Sequence, residues 1–282
     1  MGKVALVTDT TAYIPQEYVD RYHISVAPQV LIWGNETFRD GIDINPTDFY
    51  TRLSKATVMP TTSQASPASF EQIFSNLLGQ GYDVLAVVIS SKFSGTLDSA
   101  VQAKAKLGMP NIELVDSYTT AMALGFIVLE TAKLSEQGAS LADCKAFAEK
   151  AKVNTGVSFA VDTLEFLHRG GRIGGGSRFL GTALNIKPIL EVREGRIEAV
   201  ERVRTRNKRL LRLVELVEQG IAGRRPLHLA TLHANAPEDA QEILDEANRR
   251  LKADEIVFSE VSPVVGTHTG PGTVGLAYLA GM

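Results

Sequence analysis

Apolar residues along the chain fall into short continuous runs, and these alternate with longer stretches of helical spacing. Val4-Ala5-Leu6-Val7 runs into Thr8-Asp9-Thr10-Thr11, the pattern of a parallel strand buried on both faces with polar groups at its carboxyl end. Pro15-Gln16-Glu17-Tyr18 opens a short helix, and Ile24-Ser25-Val26-Ala27 is a second strand. Gly34-Asn35 reads as a turn, with an irregular segment beyond it. Asn45 is a helix cap with Pro46 at the first helical position. Met59 to Gln64 reads as a polar loop, and Ser66-Pro67 repeats the cap-and-proline start. Phe70, Ile73, Phe74, Leu77 and Leu78 then mark one helix face, which Gly79 and Gly81 end.

A strand over 82–90 follows, then the loop Ser90-Ser91-Lys92-Phe93-Ser94-Gly95-Thr96 and a helix over 97–107. Ile112 to Val115 is a strand ending in Asp116-Ser117. Ala121 to Gln137 is an apolar helix and Ser140 to Lys152 an amphipathic one. Strand–helix alternation over 1–155 predicts a mainly parallel sheet. Three of its strands end in hydroxyl or Asp groups, and in such sheets the carboxyl ends converge on a ligand crevice.

The second half reads differently. Val157 to Val161 is a strand, followed by the Gly-rich stretch His168 to Arg178. Pro188–Val192 and Arg196–Val200 flank Glu194-Gly195 as a hairpin. A helix over 206–219, a strand Leu227–Thr231, a helix Pro237–Lys252 and a strand Ile256–Val261 come next. A loop Gly266–Gly272 precedes the strand Val274–Leu279. The expected fold class is α/β. Two α/β domains are expected, 1–155 with a mainly parallel sheet and 156–282 with a mixed sheet, and a ligand at their junction.

A length of 282 residues suits two cores, and 44% apolar with 22% charged residues is ordinary for a soluble protein. Net charge is −3, so no nucleic acid is expected as partner. The single Cys144 fits a reducing compartment. The start shows no signal-peptide pattern, and no apolar run approaches the ~18 residues of a membrane span, so the cytoplasm is expected.

Four places carry candidate chemistry. Loop 90–96 joins a strand end to a helix start, where free N–H groups and the positive helix end favour an anion. Most neighbouring hydroxyls are accounted for by caps and turns. Ser94 is not a nucleophile elbow, since Gly-x-Ser-x-Gly is absent. The Gly-rich stretch lacks the Lys of a phosphate-binding Walker loop, but Arg169, Arg172 and Arg178 interleave with its glycines, which would let guanidinium forks approach an anion. His268, between two hydroxyls and boxed by Gly and Pro, is expected in a tight turn. Arg202 to Arg209 is either a solvated helix start or a docking surface. His228 and His233, five apart in a strand, face opposite sides, so no metal and no cofactor are expected.

These motifs, in this order, resemble the DegV family of bacterial fatty-acid-binding proteins. The resemblance rests on Val7-Thr8-Asp9-Thr10, Thr62-Ser63-Gln64, Ser90-Ser91 through Ser94-Gly95-Thr96, Val115-Asp116-Ser117, Gly170-Gly171-Arg172-Ile173, Arg204-Thr205, His233-Ala234-Asn235 and His268 to Gly272. It implies a long-chain fatty acid with its acyl chain in an apolar tunnel of the first domain. Carried over by motif, Thr62, Ser94 and His268 would hold the carboxylate, supported by Ser63, Gly95, Thr96 and Thr269. Arg172 and Arg204 would face a partner, an ATP-dependent fatty acid kinase subunit that makes the acyl phosphate. The chain itself would be a lipid-binding carrier subunit and no enzyme, with transient membrane contact. Phe93 stands where Leu is common in the family, and would reshape the tunnel entrance. The alternative is an enzyme acting on a small phosphorylated or hydroxylated metabolite, with Arg172 and loop 90–96 as anion clamp and His268 as acid–base.

Overall fold

The computed structural model describes residues 3–181 and 187–282. In chain order its first half comprises β1 (Val4–Asp9), α1 (Gln16–Arg21), β2 (Ser25–Ala27), β3 (Val30–Trp33), β4 (Glu36–Arg39), α2 (Pro46–Leu53), β5 (Thr61–Ser63), α3 (Pro67–Gly79), β6 (Asp83–Val88), α4 (Thr96–Leu107), β7 (Ile112–Asp116), α5 (Ala121–Glu136) and α6 (Leu141–Ala151). The second half comprises β8 (Thr155–Ala160), α7 (Glu165–Arg169), β9 (Lys187–Arg193), β10 (Arg196–Val203), α8 (Arg206–Ile221), β11 (Leu227–His233), α9 (Pro237–Leu251), β12 (Glu255–Val257), α10 (Pro263–Thr269) and β13 (Val274–Ala280).

Strands β2-β1-β6-β7 form a wholly parallel sheet. Phe70 and Phe74 of α3, with Ala100 and Ala103 of α4, cover one face of it against Val7, Val84, Ala86 and Val88. The second sheet runs β10-β9-β8-β13-β11-β12 and is antiparallel except for the β11–β12 pair. Leu213, Val217, Ile243 and Leu244 of α8 and α9 cover its outer face. The fold is therefore α/β, with a parallel and a mixed sheet as expected.

Helix α5 lies between the two sheets. Ser135 Oγ donates to Val4 O of β1 at 2.7 Å, while the Phe126 ring packs 5.6 Å from the ring of His228 on β11. That position explains its sequence: with 12 of 16 residues buried, no side is free for a polar stripe. Each fully buried Leu, Ile or Phe on it contributes roughly 1.5–3 kcal/mol of transfer free energy. One core cluster consequently contains Leu6 and Val87 of the first sheet together with Val157 and Leu279 of the second.

Three local expectations are corrected. The irregular segment and polar loop are replaced by a small antiparallel sheet, β4-β3-β5. Val30 to Trp33 pairs with β4 across a turn in which Gly34 has φ +63°, and Trp33 is anchored by its indole N–H to Val58 O at 2.8 Å. Strand β5 pairs through its backbone, so its side chains Thr61-Thr62-Ser63 carry no strand pattern. The tight turn expected around His268 is helix α10, with Pro263 in its first turn.

Candidate functional site

The order β2-β1-β6-β7 reverses direction between β1 and β6, and the crevice outside those two strand ends is where open α/β sheets bind ligands. Asp9 stitches the two ends together. Its Oδ2 accepts Ile89 N–H at 2.8 Å, and its Oδ1 accepts the Thr11 N–H at 3.0 Å and hydroxyl at 2.6 Å. Burial pushes its pKa up against those hydrogen bonds. Asp9 is a structural tie here, with both oxygens engaged.

Above these ends opens a cavity whose apolar walls come from both halves: Ile89 and Phe93 from the first, Phe159, Leu167, Ile197 and Val264 from the second. Its volume is about 110 Å³, against the roughly 10–15 Å³ that one water needs on the same measure, which is room for a chain of several atoms. Among the described residues, its lining includes Thr62, Ser94, His268 and Arg172 but no Asp or Glu.

Two hydrogen-bond relays end in this cavity. On one side, His268 Nε2 of α10 lies 2.7 Å from Thr62 Oγ1 of β5. Burial, then the Arg172 charge, lowers the His268 pKa to about 4, so the ring is neutral at pH 7. On the other side, Gln29 Nε2 donates to Thr96 Oγ1 at 2.8 Å, and Thr96 Oγ1 lies 2.8 Å from Ser94 Oγ. An anion in the cavity would select one sense in each relay. With His268 donating to Thr62 and Thr96 donating to Ser94, both terminal hydroxyl protons would be free for it.

Arg172 fixes the third corner. Its Nε donates to Phe93 O at 3.1 Å and its Nη1 to Gly170 O at 2.7 Å, which ties the Gly-rich stretch to loop 90–96. The glycines serve packing more than anion approach. A Cβ at Gly170 would stand 2.0 Å from His268 Nδ1, and one at Gly174 2.4 Å from Ile197 O of β10. Arg169 pairs with Glu165 at 2.5 Å and Arg178 lies over the Phe179 ring, so of the three interleaved arginines Arg172 alone lines the cavity.

The remaining expected residues divide. Ser63 and Thr269 line the cavity, but the Thr269 hydroxyl donates to Val265 O at 3.2 Å. Thr96 is fully buried and positions Ser94, and Gly95 packs against the Gln64 side chain. Ser90 is buried and donates to Gly195 O at 2.9 Å. Arg204 is exposed before α8, away from the lining just described. The rest of its basic run is largely paired: Arg206 with Asp239 and Glu242, and the buried Arg209 with Asp162 and Asp239.

Sequence reading missed Gln29, Tyr13 and Thr120, which all line the cavity. A lone Gln carries no local signal, and Tyr13 enters through a left-handed backbone, φ +55°, unusual for a non-glycine residue. The Tyr13 hydroxyl, Thr120 Oγ1 and His268 Nδ1 are buried without a partner. Sequence spacing also hid a cluster of Glu130, His228 and Glu255, whose ligand atoms lie within 4.8 Å of one another. The Lys133 ammonium, 2.7 Å from Glu130 and 3.1 Å from Glu255, already supplies the positive charge there.

Comparison with known proteins is consistent along the whole chain. A family model described as "Uncharacterised protein, DegV family" matches residues 3–281. A DegV domain-containing protein of Streptomyces coelicolor is 36% identical over 275 residues, 97% of each chain. Protein DegV of Bacillus subtilis is 34% identical over 277 residues, 98% of each. Among solved structures, a DegV family protein from Thermus thermophilus described for its fatty acid binding superposes with a TM-score of 0.94 at 34% identity, covering 99% of both chains. DegV of Bacillus subtilis, described as a fatty acid binding protein, gives 0.89 at 33%, covering 99% of this chain and 100% of that one.

Proposed function

The chain belongs to the DegV family, and from that premise we propose that it binds a long-chain fatty acid in the cavity above β1 and β6. The carboxylate is held by Thr62 and Ser94, backed by His268 and Thr96, and the acyl chain lies along the apolar walls. The observation that carries this reading is the pairing of two relayed neutral hydroxyls with an apolar cavity that no described Asp or Glu lines. Each methylene transferred from water contributes about 0.8 kcal/mol, so the acyl chain supplies most of the affinity. The carboxylate contacts set orientation. Structures of DegV proteins described as fatty acid binding, 33–34% identical to this chain, support the same ligand class.

On this reading the division falls between 1–155 and 156–282, with the ligand at their junction, and the chain makes no chemical change by itself. It presents the fatty acid to an ATP-dependent kinase partner that converts the carboxylate to an acyl phosphate, with Arg172 and Arg204 on the partner's side. It works in the bacterial cytoplasm and touches the membrane surface transiently to collect its ligand. Among the described residues, no helix is long and apolar enough to cross a membrane. A His268 pKa near 4 favours the carrier over the metabolite-enzyme reading, since a neutral, weakly basic ring is a poor acid–base catalyst at pH 7.

Native mass spectrometry of the purified chain, with ligand release and identification, tests the binding. One long-chain fatty acid per chain is the expected mass difference. Protein that arrives empty and takes up no added palmitate or oleate would refute the reading. Trapping of acyl phosphate with hydroxylamine, in the presence of kinase and ATP, tests the presentation step separately.

A further inference from the structure

A second cavity adjoins the first without belonging to it. Tyr13 lines both, and the start of α10 divides them, with Pro263 facing the second cavity and Val264 the first. Its volume is about 260 Å³, many times the roughly 10–15 Å³ that one water needs. Three carboxyl residues line it, Asp9, Asp40 and Glu260, and no described Lys, Arg, His or Cys does.

Asp40 is the centre of this cavity. It is fully buried, at 0% exposure, and its Oδ2 has no hydrogen-bond partner. Its Oδ1 accepts the Val264 N–H of α10 at 3.5 Å. The Tyr13 hydroxyl, Ser262 Oγ and Thr8 Oγ1, which line the same space, are also buried without partners, as is the nearby Tyr50 hydroxyl. Burial raises the Asp40 pKa to about 6. The Thr10 and Ser262 hydroxyls, near it but outside hydrogen-bonding geometry, and the Val264 N–H oppose that rise, and Asp9 adds to it. Glu260 is half-buried, and burial raises its pKa as well. A buried carboxylate with a vacant acceptor, ringed by unpartnered hydroxyl oxygens and lacking a counter-charge, is costly unless a cation completes it.

We propose that this cavity binds a hard cation, with Asp40 and Glu260 as its carboxylate ligands and the hydroxyl oxygens of Tyr13 and Ser262, with water, filling the shell. The donor set decides the class of ion. Oxygen-only donors select calcium, magnesium or an alkali cation over zinc or copper, which favour nitrogen and sulfur. Asp9 contributes charge but no ligand atom, since Thr11 and Ile89 already engage its oxygens. The same Asp40 holds the first turn of α10, the helix that carries His268, so the ion and the ligand of the first cavity are energetically coupled.

The ion site is occupied whatever class of ligand the first cavity takes, and it is tested without added fatty acid. The full chain is dialysed into choline chloride buffer at pH 7.5. Thermal melting is then followed as calcium, magnesium, sodium or potassium chloride replaces choline at constant ionic strength. A saturable rise in Tm of several degrees is expected for at least one of the four. That rise disappears in Asp40→Asn. Its midpoint moves to at least tenfold higher concentration in Glu260→Gln, and it survives in Asp43→Asn, an exposed acid outside the cavity. If Asp40→Asn does not fold, the Glu260→Gln titration decides. No rise beyond choline for any of the four ions, or an equal rise in wild type and both cavity variants, would overturn the proposal.

Discussion

Thr62 Oγ1 and His268 Nε2 stand 2.7 Å apart across 206 positions of sequence, one presented by a short edge strand and the other by a seven-residue helix. The contact joins the first half of the chain to the second at the cavity and gives the Thr62 hydroxyl a defined donor direction. Removing a hydrogen bond to a charged group costs about 1.5–3 kcal/mol. Thr62→Val and Ser94→Ala should therefore each weaken fatty-acid binding roughly ten- to hundredfold. His268→Asn should weaken it less, because it acts through Thr62. Isothermal titration with a single fatty acid measures all three, and wild-type affinity in both hydroxyl variants would remove the carboxylate site from these residues.

Two titrating groups with opposite shifts meet at α10, His268 on the helix and Asp40 against its first turn. The folded-state pKa of His268, about 4, lies below its ordinary 6.5, so the unfolded chain binds more protons between these values and stability rises with pH. The folded-state pKa of Asp40, about 6, lies above its ordinary 3.8, so the folded chain binds more protons and stability falls as pH rises through that window. At ~1.4 kcal/mol per unit, each contributes up to about 3 kcal/mol, and the two nearly cancel. Urea unfolding from pH 4.5 to 6.5, in choline buffer, should separate them. Relative to wild type, His268→Gln should lose stability as pH rises and Asp40→Asn should gain it. Profiles parallel to wild type in both variants would show that neither shift exists.

The parts of the fold legible from sequence are those set by local chemistry. Asn45 caps α2 through its bond from Asp48 N–H at 2.9 Å, Ser66 caps α3, and Ser140 closes a capping box. Asn45 and Ser66 are legible as caps because Pro follows each, whereas at Ser140 the sequence reading marks only the helix start. The unbroken apolar face of α5 was legible too, though not its place between two sheets. Helix α10 shares the cap-and-proline start at Ser262-Pro263, but Gly266 and Gly270 disguise it as a loop. The same glycines make room for Tyr50 and Phe166, since a Cβ would stand 2.4 Å from the Tyr50 hydroxyl oxygen and 2.3 Å from Phe166 Cδ2. Gln29 and the role of Thr96 follow from a contact spanning 67 positions, which no local pattern encodes.

Gly170 tests whether the Gly-rich stretch acts on the site through space rather than through charge. Its backbone, φ −74° and ψ −9°, is one any residue adopts, so substitution brings no backbone strain. A Cβ there would meet His268 Nδ1 at 2.0 Å and force the ring off Thr62. Overpacking of this kind costs about 1–3 kcal/mol. Gly170→Ala should thus lower Tm by several degrees and weaken fatty-acid binding about as much as His268→Asn. Gly171→Ala is the control: its φ of +70° strains the backbone, but nothing lies within 4 Å of its Cβ, so it should lower Tm while leaving affinity nearly intact. Equal affinity losses in the two variants would refute the steric account.

The last expectation concerns the β9–β10 hairpin, whose strands place Val192 and Ile197 over the cavity. Its tip is fastened by Ser90 Oγ donating to Gly195 O at 2.9 Å, and Gly195 can lie this close because it has φ +80° and no Cβ. A Cβ there would stand 2.4 Å from Ser90 Oγ and 3.2 Å from both Lys92 and Tyr118 side chains. Ser90→Ala leaves the Gly195 carbonyl without this donor, at about 1–3 kcal/mol. Gly195→Ala adds the clash and the left-handed strain, so it should be the more damaging of the two. The Ser90 hydroxyl and Gly195 make no hydrogen bond to the carboxylate relays, so both changes should act on the cover over the cavity rather than on its polar end. Stopped-flow release of a fluorescent fatty acid should therefore speed up several-fold in Ser90→Ala and further in Gly195→Ala. Thr62→Val sets the comparison: it too should hasten release, but through loss of a carboxylate contact rather than through the cover. Release from Ser90→Ala at the wild-type rate, in a variant whose Tm has dropped, would mean that the hairpin is a structural cover and not the route by which ligand leaves.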